Sequence, residues 1–305
     1  MHAANDHSAE ETLLDDLLCA RRYRIGRVIA EGTTGHVFAA RRLSDNQPVV
    51  LKVGSMASQM ARTSLRAEAK ALASLDHPNI VRCHEHLEGI DVAVLVMDHL
   101  EGTDLGTRMR AAPVSRAQAM RWLGELASAL DHVHTAGLVH RDLKPANVMI
   151  VPDEEGLERA VLIDFGLASP RASRNTRSRF LCGTPAYMAP EQAQGDETQI
   201  GPAADRYALA ALGLELLTGQ RPYPNASIPE LLRMVLESAP RAASQLASFA
   251  PHVAPGVDAV FARGLAREPR ARFTSAWVFV DRLERALEGA RPSGTSSTML
   301  AAQAA

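Results

Sequence analysis

The chain has 305 residues, of which 46% are hydrophobic and 22% are charged, and its formal net charge is −2. This length suits one two-lobed domain or two small ones, and the composition is that of a globular protein with a sizeable core. The balanced charge argues against a dedicated nucleic-acid-binding protein, since such domains carry a clear basic excess.

The N-terminal extension, residues 1–20, is acidic and holds four leucines at helical spacing. It predicts a short amphipathic helix that either packs on the following domain or mediates dimerisation. Residues 1–11 do not resemble a signal peptide, and no later stretch has the roughly twenty apolar residues that cross a bilayer. Three cysteines, odd in number and far apart, fit a reducing compartment. We therefore expect a cytoplasmic protein without a membrane span.

Short runs of β-forming residues follow from Tyr23 to about Met97. The predicted strands are residues 24–29, 37–42, 49–53 and 92–97, and one helical pattern covers residues 58–74. This part of the chain predicts a small antiparallel sheet with one main helix.

Helical patterns dominate from about Gly102 onward. The predicted helices are residues 115–136, 203–218, 227–237, 257–266 and 274–287. Residues 148–150 and 160–163 predict a hairpin joined by an acidic turn. The tail from residue 291 is rich in Ser, Thr and Ala, and we expect it to be disordered.

Two short motifs lie where the sheet-forming and helical parts meet. Residues 140–147 read His-Arg-Asp-Leu-Lys-Pro-Ala-Asn, and residues 164–166 read Asp-Phe-Gly. Together they supply a base, a cation and two oxygen donors for a metal, in a fixed order. This is the minimal equipment for moving the terminal phosphate of ATP onto a hydroxyl group. An isolated Asp-Phe-Gly is weak evidence, but the longer run ahead of it is specific.

Two further features precede these motifs and suit the binding of phosphates. Residues 30–37 read Ala-Glu-Gly-Thr-Thr-Gly-His-Val between two predicted strands, and glycine lets a backbone approach phosphate oxygens without a side-chain clash. Lys52 ends an apolar strand, and Glu68 lies on the predicted helix behind it. An ion pair between the two would hold the lysine over the phosphates.

These features, with Cys-Gly-Thr-Pro-Ala-Tyr-Met-Ala-Pro-Glu at residues 182–191, resemble the bacterial eukaryotic-like (Hanks-type) serine/threonine protein kinases. The resemblance runs from about Tyr23 to Leu287. It implies a two-lobed α+β kinase fold, with a domain over residues 21–288. The N-lobe would cover residues 21–97, the hinge 98–101 and the C-lobe 102–288, followed by a tail of residues 289–305.

The resemblance also implies catalytic roles. Asp142 would position the substrate hydroxyl and accept its proton, and Lys144 would offset charge on the transferred phosphoryl group. Asn147 and Asp164 would hold Mg²⁺, with Mn²⁺ as an alternative. The partners implied are ATP and proteins bearing Ser or Thr.

ATP would lie between the glycine loop, the third strand and the hinge. The implied contacts are Ala30, Glu31, Gly32, Thr33, Thr34, Gly35, Val37, Val50, Lys52, Met97, Asp98, Leu100 and Asp104. Ala30 replaces the first glycine of the family pattern, which would narrow the conformational range of the loop. Asp104 has two readings, a ribose-binding carboxylate or the N-terminal residue of a helix.

Residues 169–179 contain four arginines among serines and a threonine. Phosphate on this segment would pair with Arg141 and neighbouring arginines. We predict autophosphorylation at Thr176, followed by Ser178 and Ser173, with a homodimer forming during the reaction. The alternatives are a solvated basic loop without a switch, or a loop that selects acidic substrates.

The sequence leaves other functions to be weighed. A pseudokinase-type nucleotide-binding scaffold would lack at least one of Lys52, Asp142, Asn147 or Asp164, and all four are present. A small-molecule phosphotransferase of kinase-like fold would lack the Gly-Thr to Pro-Glu run at residues 183–191. The family pattern further predicts a salt bridge between Glu191 and Arg272, and Asp205 as a brace for the catalytic loop, residues 140–147.

Overall fold

A computed structural model describes residues 22–32, 35–54, 59–88, 93–153, 155–165, 185–195 and 198–289. The predicted N-terminal helix, the loop residues Thr33 and Thr34, the phosphorylation sites Ser173, Thr176 and Ser178, and the tail from residue 290 lie outside the described residues.

The first part of the chain forms one antiparallel sheet of five strands, in the spatial order β1-β2-β3-β5-β4. The strands are β1 (Tyr23–Gly32), β2 (Gly35–Arg42), β3 (Pro48–Gly54), β4 (Cys83–Glu88) and β5 (Ala93–Asp98). Four of them confirm predicted strands, whereas β4 was missed. Its sequence Cys-His-Glu-His-Leu-Glu is polar because β4 is an edge strand with no fully buried residue.

Helix α1 (Gln59–Leu72) packs on one face of this sheet. Leu65, Ala69 and Leu72 recur at helical spacing and are buried in the same apolar cluster as the sheet residues Leu95 and Met97. Glu68 shares this buried face, so the packing that fixes the helix also aims its carboxylate at the sheet.

The second part of the chain is mainly helical. It contains α2 (Leu105–Ala111), α3 (Arg116–Thr135), α4 (Pro190–Gln194), α5 (Pro202–Thr218), α6 (Ile228–Glu237), α7 (Ala243–Leu246), α8 (Ala254–Gly264) and α9 (Ala276–Leu287). The five predicted helices are confirmed. The short helices α2, α4 and α7 were missed, because so few residues carry too little periodicity to be read. Within the described residues, no helix is long and apolar enough to span a membrane.

A small second sheet lies against the helices, in the order β6-β7-β8. Its strands are β6 (Thr103–Asp104), β7 (Val148–Pro152) and β8 (Glu158–Leu162). The predicted hairpin is therefore present, with Val148 opposite Leu162 in the register. The 3-10 turn Pro145–Asn147 enters β7, and Asp164 follows soon after β8. The hairpin thus brings the two sequence motifs together.

The core of the helical part is built around α3 and α5. Ser115 caps α3 by accepting a hydrogen bond from the backbone of Gln118, and Trp122 and Leu126 are fully buried on its inner face. Helix α5 is buried along most of its length and ends at Gly219, whose φ of 71° suits glycine. Its N-terminal turn carries a buried carboxylate, Asp205, beneath the loop at residues 140–147.

Candidate functional site

Three charged side chains from three separate elements meet beside the first sheet. Lys52 on β3 donates to both carboxylate oxygens of Glu68 on α1, with Nζ 2.8 and 2.7 Å from Oε1 and Oε2. Lys52 Nζ also lies 3.2 Å from Asp164 Oδ1. The predicted Lys52–Glu68 ion pair is therefore present, and Asp164 joins it from the segment after β8.

The burial of this cluster and its two carboxylates both affect the pKa of Lys52. Burial by itself would lower the pKa of Lys52, but the carboxylates of Glu68 and Asp164 outweigh it and raise that pKa above its ordinary value. Lys52 is consequently an ammonium group at neutral pH. A permanent positive charge on a braced, nearly buried side chain is suited to binding phosphate oxygens.

Phe165 and His140 pack directly behind this cluster. Both are fully buried, and their rings meet edge to face with centroids 4.9 Å apart. The backbone N–H of Phe165 points to Glu68 Oε1 at 3.4 Å. Phe165 of the Asp-Phe-Gly motif thus contacts both α1 and the loop at residues 140–147, and the two aromatic rings act as packing residues.

Asp142, Lys144 and Asn147 form a second cluster in that loop. Lys144 Nζ lies 2.7 Å from Asp142 Oδ2, and Asn147 Nδ2 donates to the same oxygen at 2.9 Å and to the Asp142 carbonyl at 2.8 Å. Within the described residues, Asp142 Oδ1 makes no such contact. The carboxylate therefore has one oxygen held by the protein and one available for a substrate.

The donor atoms present fit a hard divalent cation. Because the amide nitrogen of Asn147 is the end that faces Asp142, its carbonyl oxygen is the end left for a metal. Asp164 supplies carboxylate oxygen from the neighbouring segment, and Mg²⁺ prefers such oxygen ligands together with water and phosphate. These two residues would hold the ion.

The loop is braced from below by Asp205, as predicted. Its carboxylate accepts hydrogen bonds from the backbone N–H of His140 at 2.8 Å and of Arg141 at 2.7 Å. His134 on α3, which the sequence reasoning missed, contacts the same carboxylate at 2.7 Å. Burial would raise the pKa of Asp205, but His134 and these backbone bonds hold it below its ordinary value.

The predicted salt bridge between Glu191 and Arg272 is also confirmed. Both carboxylate oxygens of Glu191 lie 2.7 Å from guanidinium nitrogens of Arg272, and both side chains are buried. Arg272 further donates to the carbonyls of Ala203, Ala266 and Arg267. This bidentate pair ties α4 to α5 and to the loop after α8.

The predicted phosphate loop joins β1 to β2. Ala30 pairs with Val37, Glu31 with His36 and Gly32 with Gly35 across the two strands. Gly35 has a φ of 133°, a conformation that only glycine adopts readily. Ala30 follows a register shift in β1 between Val28 and Ala30, and it has no positive φ, so its backbone conformation does not require glycine.

The predicted hinge, residues 98–101, begins at the last residue of β5. Met97 is buried and pairs with Val50 on β3, and Leu100 packs against the main apolar cluster. Asp98 is contacted by His84 of β4 at 2.7 Å, a contact that the sequence reasoning missed because β4 was missed. The proposed adenine contacts of this segment stay predictions.

Asp104 is the N-terminal cap of α2. Its Oδ1 accepts from the backbone N–H of Thr107 at 2.9 Å, and its Oδ2 accepts from the Thr107 hydroxyl at 2.6 Å. Burial by itself would raise the pKa of Asp104, but the hydrogen bonds from Thr107 outweigh it and hold that pKa below its ordinary value. The helix-capping reading is confirmed, and the ribose-binding reading stays a prediction.

Comparison with protein families gives one match that covers most of the chain. A family model described as the protein kinase domain matches residues 23–282. Serine/threonine-protein kinase pkn3 of Myxococcus xanthus is 33% identical over 299 residues, covering 92% of this chain and 54% of that protein. Serine/threonine-protein kinase PknJ of Mycobacterium tuberculosis is 34% identical over 278 residues, covering 89% of this chain and 46% of that protein. The chain thus spans about half the length of these curated relatives.

Comparison with solved structures gives the same fold. The kinase domain of Mycobacterium tuberculosis PknI superposes with a TM-score of 0.67 at 28% identity, covering 87% of this chain and 96% of that domain. The predicted two-lobed α+β architecture is therefore confirmed, with the five-stranded sheet as the small lobe and the helical part as the large one.

Proposed function

This chain belongs to the protein kinase domain family, and we propose that it transfers the γ-phosphate of Mg-ATP to serine and threonine hydroxyls of proteins. The proposal rests on the presence of two clusters of charged and polar side chains. One is the Lys52–Glu68–Asp164 group, suited to phosphates and a cation, and the other is the Asp142–Lys144–Asn147 group, suited to a hydroxyl.

Each side chain has a distinct task in this proposal. Lys52, fixed by Glu68, binds the α- and β-phosphates. Asp142 uses its uncommitted Oδ1 to orient the acceptor hydroxyl and take its proton, and Lys144 offsets charge on the phosphoryl group in transit. Mg²⁺, held by Asn147 and Asp164, would neutralise the phosphate oxygens. Because ATP is the donor, the reaction would take place in the cytoplasm.

The choice of serine and threonine over tyrosine rests on the catalytic loop. Its Asp-Leu-Lys-Pro-Ala-Asn run resembles the serine/threonine branch of the family. Lys144 contacts Asp142 directly, so the cation that marks this branch is part of the acceptor site. The relatives quoted above are named serine/threonine-protein kinases, which agrees with this choice.

We further propose that the protein phosphorylates its own arginine-rich segment at residues 169–179, at Thr176 first and then at Ser178 and Ser173. A phosphate dianion among the arginines of residues 171–179 would convert a self-repelling segment into an ion-paired one. Reaction between two copies requires a transient homodimer. The rival reading, a basic loop that is never modified, predicts no phosphate in this segment.

The alternative function is a nucleotide-binding scaffold without transfer. Ala30, in place of the first loop glycine, is the one feature in its favour. Against it, Lys52, Asp142, Asn147 and Asp164 are present and the described site has the geometry given above. A scaffold has no need of a carboxylate positioned between a lysine and an amide.

The test is incubation of the purified protein with Mg-ATP and a generic Ser/Thr protein substrate, followed by phosphosite mapping by mass spectrometry. Asp164→Ala serves as the inactive variant and the surface substitution Asp281→Ala as its matched control. Phosphate on substrate and on Thr176 in the wild type and the control, and none in Asp164→Ala, is the expected result. Nucleotide binding without any transfer by the wild type would overturn the proposal in favour of the scaffold.

A further inference from the structure

We propose that Gln192 is a positioning residue that holds the backbone carbonyl of Arg141 and thereby aims the catalytic carboxylate of Asp142. The inference rests on the proposed kinase function. It adds a role for a side chain outside residues 140–147, in α4, which begins at the end of the run at residues 182–191.

Gln192 uses both ends of its amide. Its Nε2 donates to the carbonyl oxygen of Arg141 at 2.8 Å, and its Oε1 accepts from the backbone N–H of Ala189 at 3.1 Å. The second contact caps α4, and the first reaches a residue 51 positions earlier in the chain. One side chain therefore links α4 to the loop at residues 140–147.

The residue that Gln192 holds has a strained backbone. Arg141 has a φ of 68°, a left-handed conformation that non-glycine residues avoid and that persists only where the surroundings enforce it. Its N–H is held by Asp205 Oδ1 at 2.7 Å, and its carbonyl is held by Gln192. Side chains of two different helices thus fix the two polar backbone atoms of Arg141.

The peptide bond between Arg141 and Asp142 is fixed on both sides. Its carbonyl oxygen is held by Gln192, and its N–H donates to His140 Nδ1 at 3.2 Å. Because the peptide group is planar, holding both atoms sets the rotation of the whole plane. The direction in which the Asp142 side chain leaves the backbone follows from that rotation.

Gln192 is itself well anchored. The preceding residue, Glu191, forms the buried bidentate pair with Arg272, and the helix ends at Gly195 in a left-handed conformation. Glu191 faces the core and Gln192 faces the loop. Any shift of α4 would therefore be transmitted to Arg141 through this amide.

The competing explanation is that Gln192 only caps α4. Gln192→Glu separates the two roles, because a carboxylate still accepts from Ala189 N–H but has no proton to donate to the Arg141 carbonyl. Glutamate is as good as glutamine at this capping position. The control is Gln194→Glu, the same chemical change at an exposed residue of the same helix.

The experiment measures kcat, the KM values for ATP and peptide, and Tm for wild type, Gln192→Glu, Gln192→Met and Gln194→Glu. We expect Gln192→Glu and Gln192→Met to lower kcat by roughly ten- to a hundredfold through misplacement of Asp142. KM for ATP and the Tm of Gln192→Glu should stay close to wild type, since the ATP site and the cap are intact. Wild-type kcat in Gln192→Glu would overturn the inference.

A second readout does not depend on activity. Hydrogen–deuterium exchange at the amides of Asp142 and Leu143 should speed up in Gln192→Glu and stay unchanged in Gln194→Glu. If the wild type transfers no phosphate, the proposed function is wrong. The hydrogen–deuterium exchange rates would still show whether Gln192 positions the loop. Equal exchange rates in Gln192→Glu and Gln194→Glu would mean that Gln192 only caps α4.

A double-mutant cycle completes the test. Glycine adopts a positive φ without strain. In Arg141→Gly the backbone conformation at position 141 should therefore depend less on the hydrogen bond from the Gln192 side chain. The fold-loss in kcat caused by Gln192→Glu should be smaller in the Arg141→Gly background than in wild type. Equal losses in the two backgrounds would contradict a role through the Arg141 backbone.

Discussion

Lys52 and Glu68 form a two-pronged ion pair that joins β3 to α1, with Nζ 2.8 and 2.7 Å from the two carboxylate oxygens. The side chains are 13% and 2% exposed. Asp164 completes the group from the large lobe, 3.2 Å from the same nitrogen. The small lobe, its helix and the large lobe are thus connected through one ammonium group.

Replacing Lys52 should therefore affect both catalysis and stability. Lys52→Met is expected to abolish phosphoryl transfer and to lower the free energy of unfolding by about 3–5 kcal/mol, because Glu68 is left buried without its counter-charge. Urea denaturation and a transfer assay measure the two effects. Lys70→Met, at an exposed position of α1, the helix that carries Glu68, is the control and should change neither. Wild-type stability in Lys52→Met would show that Glu68 finds another partner.

Asp142→Asn should separate chemistry from binding. The amide cannot accept the hydroxyl proton, so kcat should fall by about 10²- to 10⁴-fold, the usual contribution of a general base. Nucleotide affinity, measured by calorimetry, should be unchanged because Lys52 and Asp164 are untouched. Asp164→Asn should instead weaken binding of Mg-ATP. An Asp142→Asn variant with near-normal kcat would remove Asp142 from the catalytic role.

The buried pair Glu191–Arg272 should be worth far more than a surface pair of similar geometry. Arg272→Met is expected to cost about 3–5 kcal/mol of unfolding free energy, since it strands the buried carboxylate of Glu191. The comparison is Arg285→Met, which breaks an exposed contact with Asp281 at 2.9 Å and should cost less than about 0.5 kcal/mol. Glu191→Met combined with Arg272→Met should cost less than the sum of the single changes. Additive losses would mean that the two side chains act independently.

Acid should destabilise the protein through His140. Burial lowers the pKa of this imidazole below its ordinary value of 6.5, although the carboxylates of Asp205, Asp142 and Asp164 oppose the effect. The unfolded chain therefore binds the proton more readily, and stability present above pH 6.5 is lost as the pH falls below it. In His140→Gln, stability measured from pH 7 to pH 5 should fall less steeply than in wild type. An unchanged slope in His140→Gln would contradict the assignment.

Ala30→Gly tests the departure from the family's glycine pattern. Ala30 lies in extended strand opposite Val37, where alanine and glycine both fit, so glycine adds only conformational freedom. KM for ATP should change by less than about fivefold, in line with the small energies of such exchanges. Ala39→Gly on β2 serves as a control for a general loosening of the strand pair. A decrease in KM for ATP much larger than fivefold would mean that Ala30 impairs the loop.

The sequence by itself determined the order of the two lobes and predicted the residues of the reaction centre. Apolar periodicity located four strands of the first sheet and five long helices, because those patterns are local. The motifs at residues 140–147 and 164–166 predicted Asp142, Lys144, Asn147 and Asp164 as site residues, since the spacing of side chains within a motif is itself local. The Lys52–Glu68, Glu191–Arg272 and Asp205 contacts were predicted only because the family resemblance supplied their pairing.

The tertiary structure alone decided the contacts that no short pattern encodes. Strand β4 is polar in sequence and becomes a strand only by pairing with β5. The contacts of His134 with Asp205 and of Gln192 with Arg141 join residues 71 and 51 positions apart. Arg141 has a positive φ that its residue type does not favour, and its backbone N–H and carbonyl are held by side chains of two helices. Such features depend on which elements lie next to each other, and the packing of the whole domain determines this.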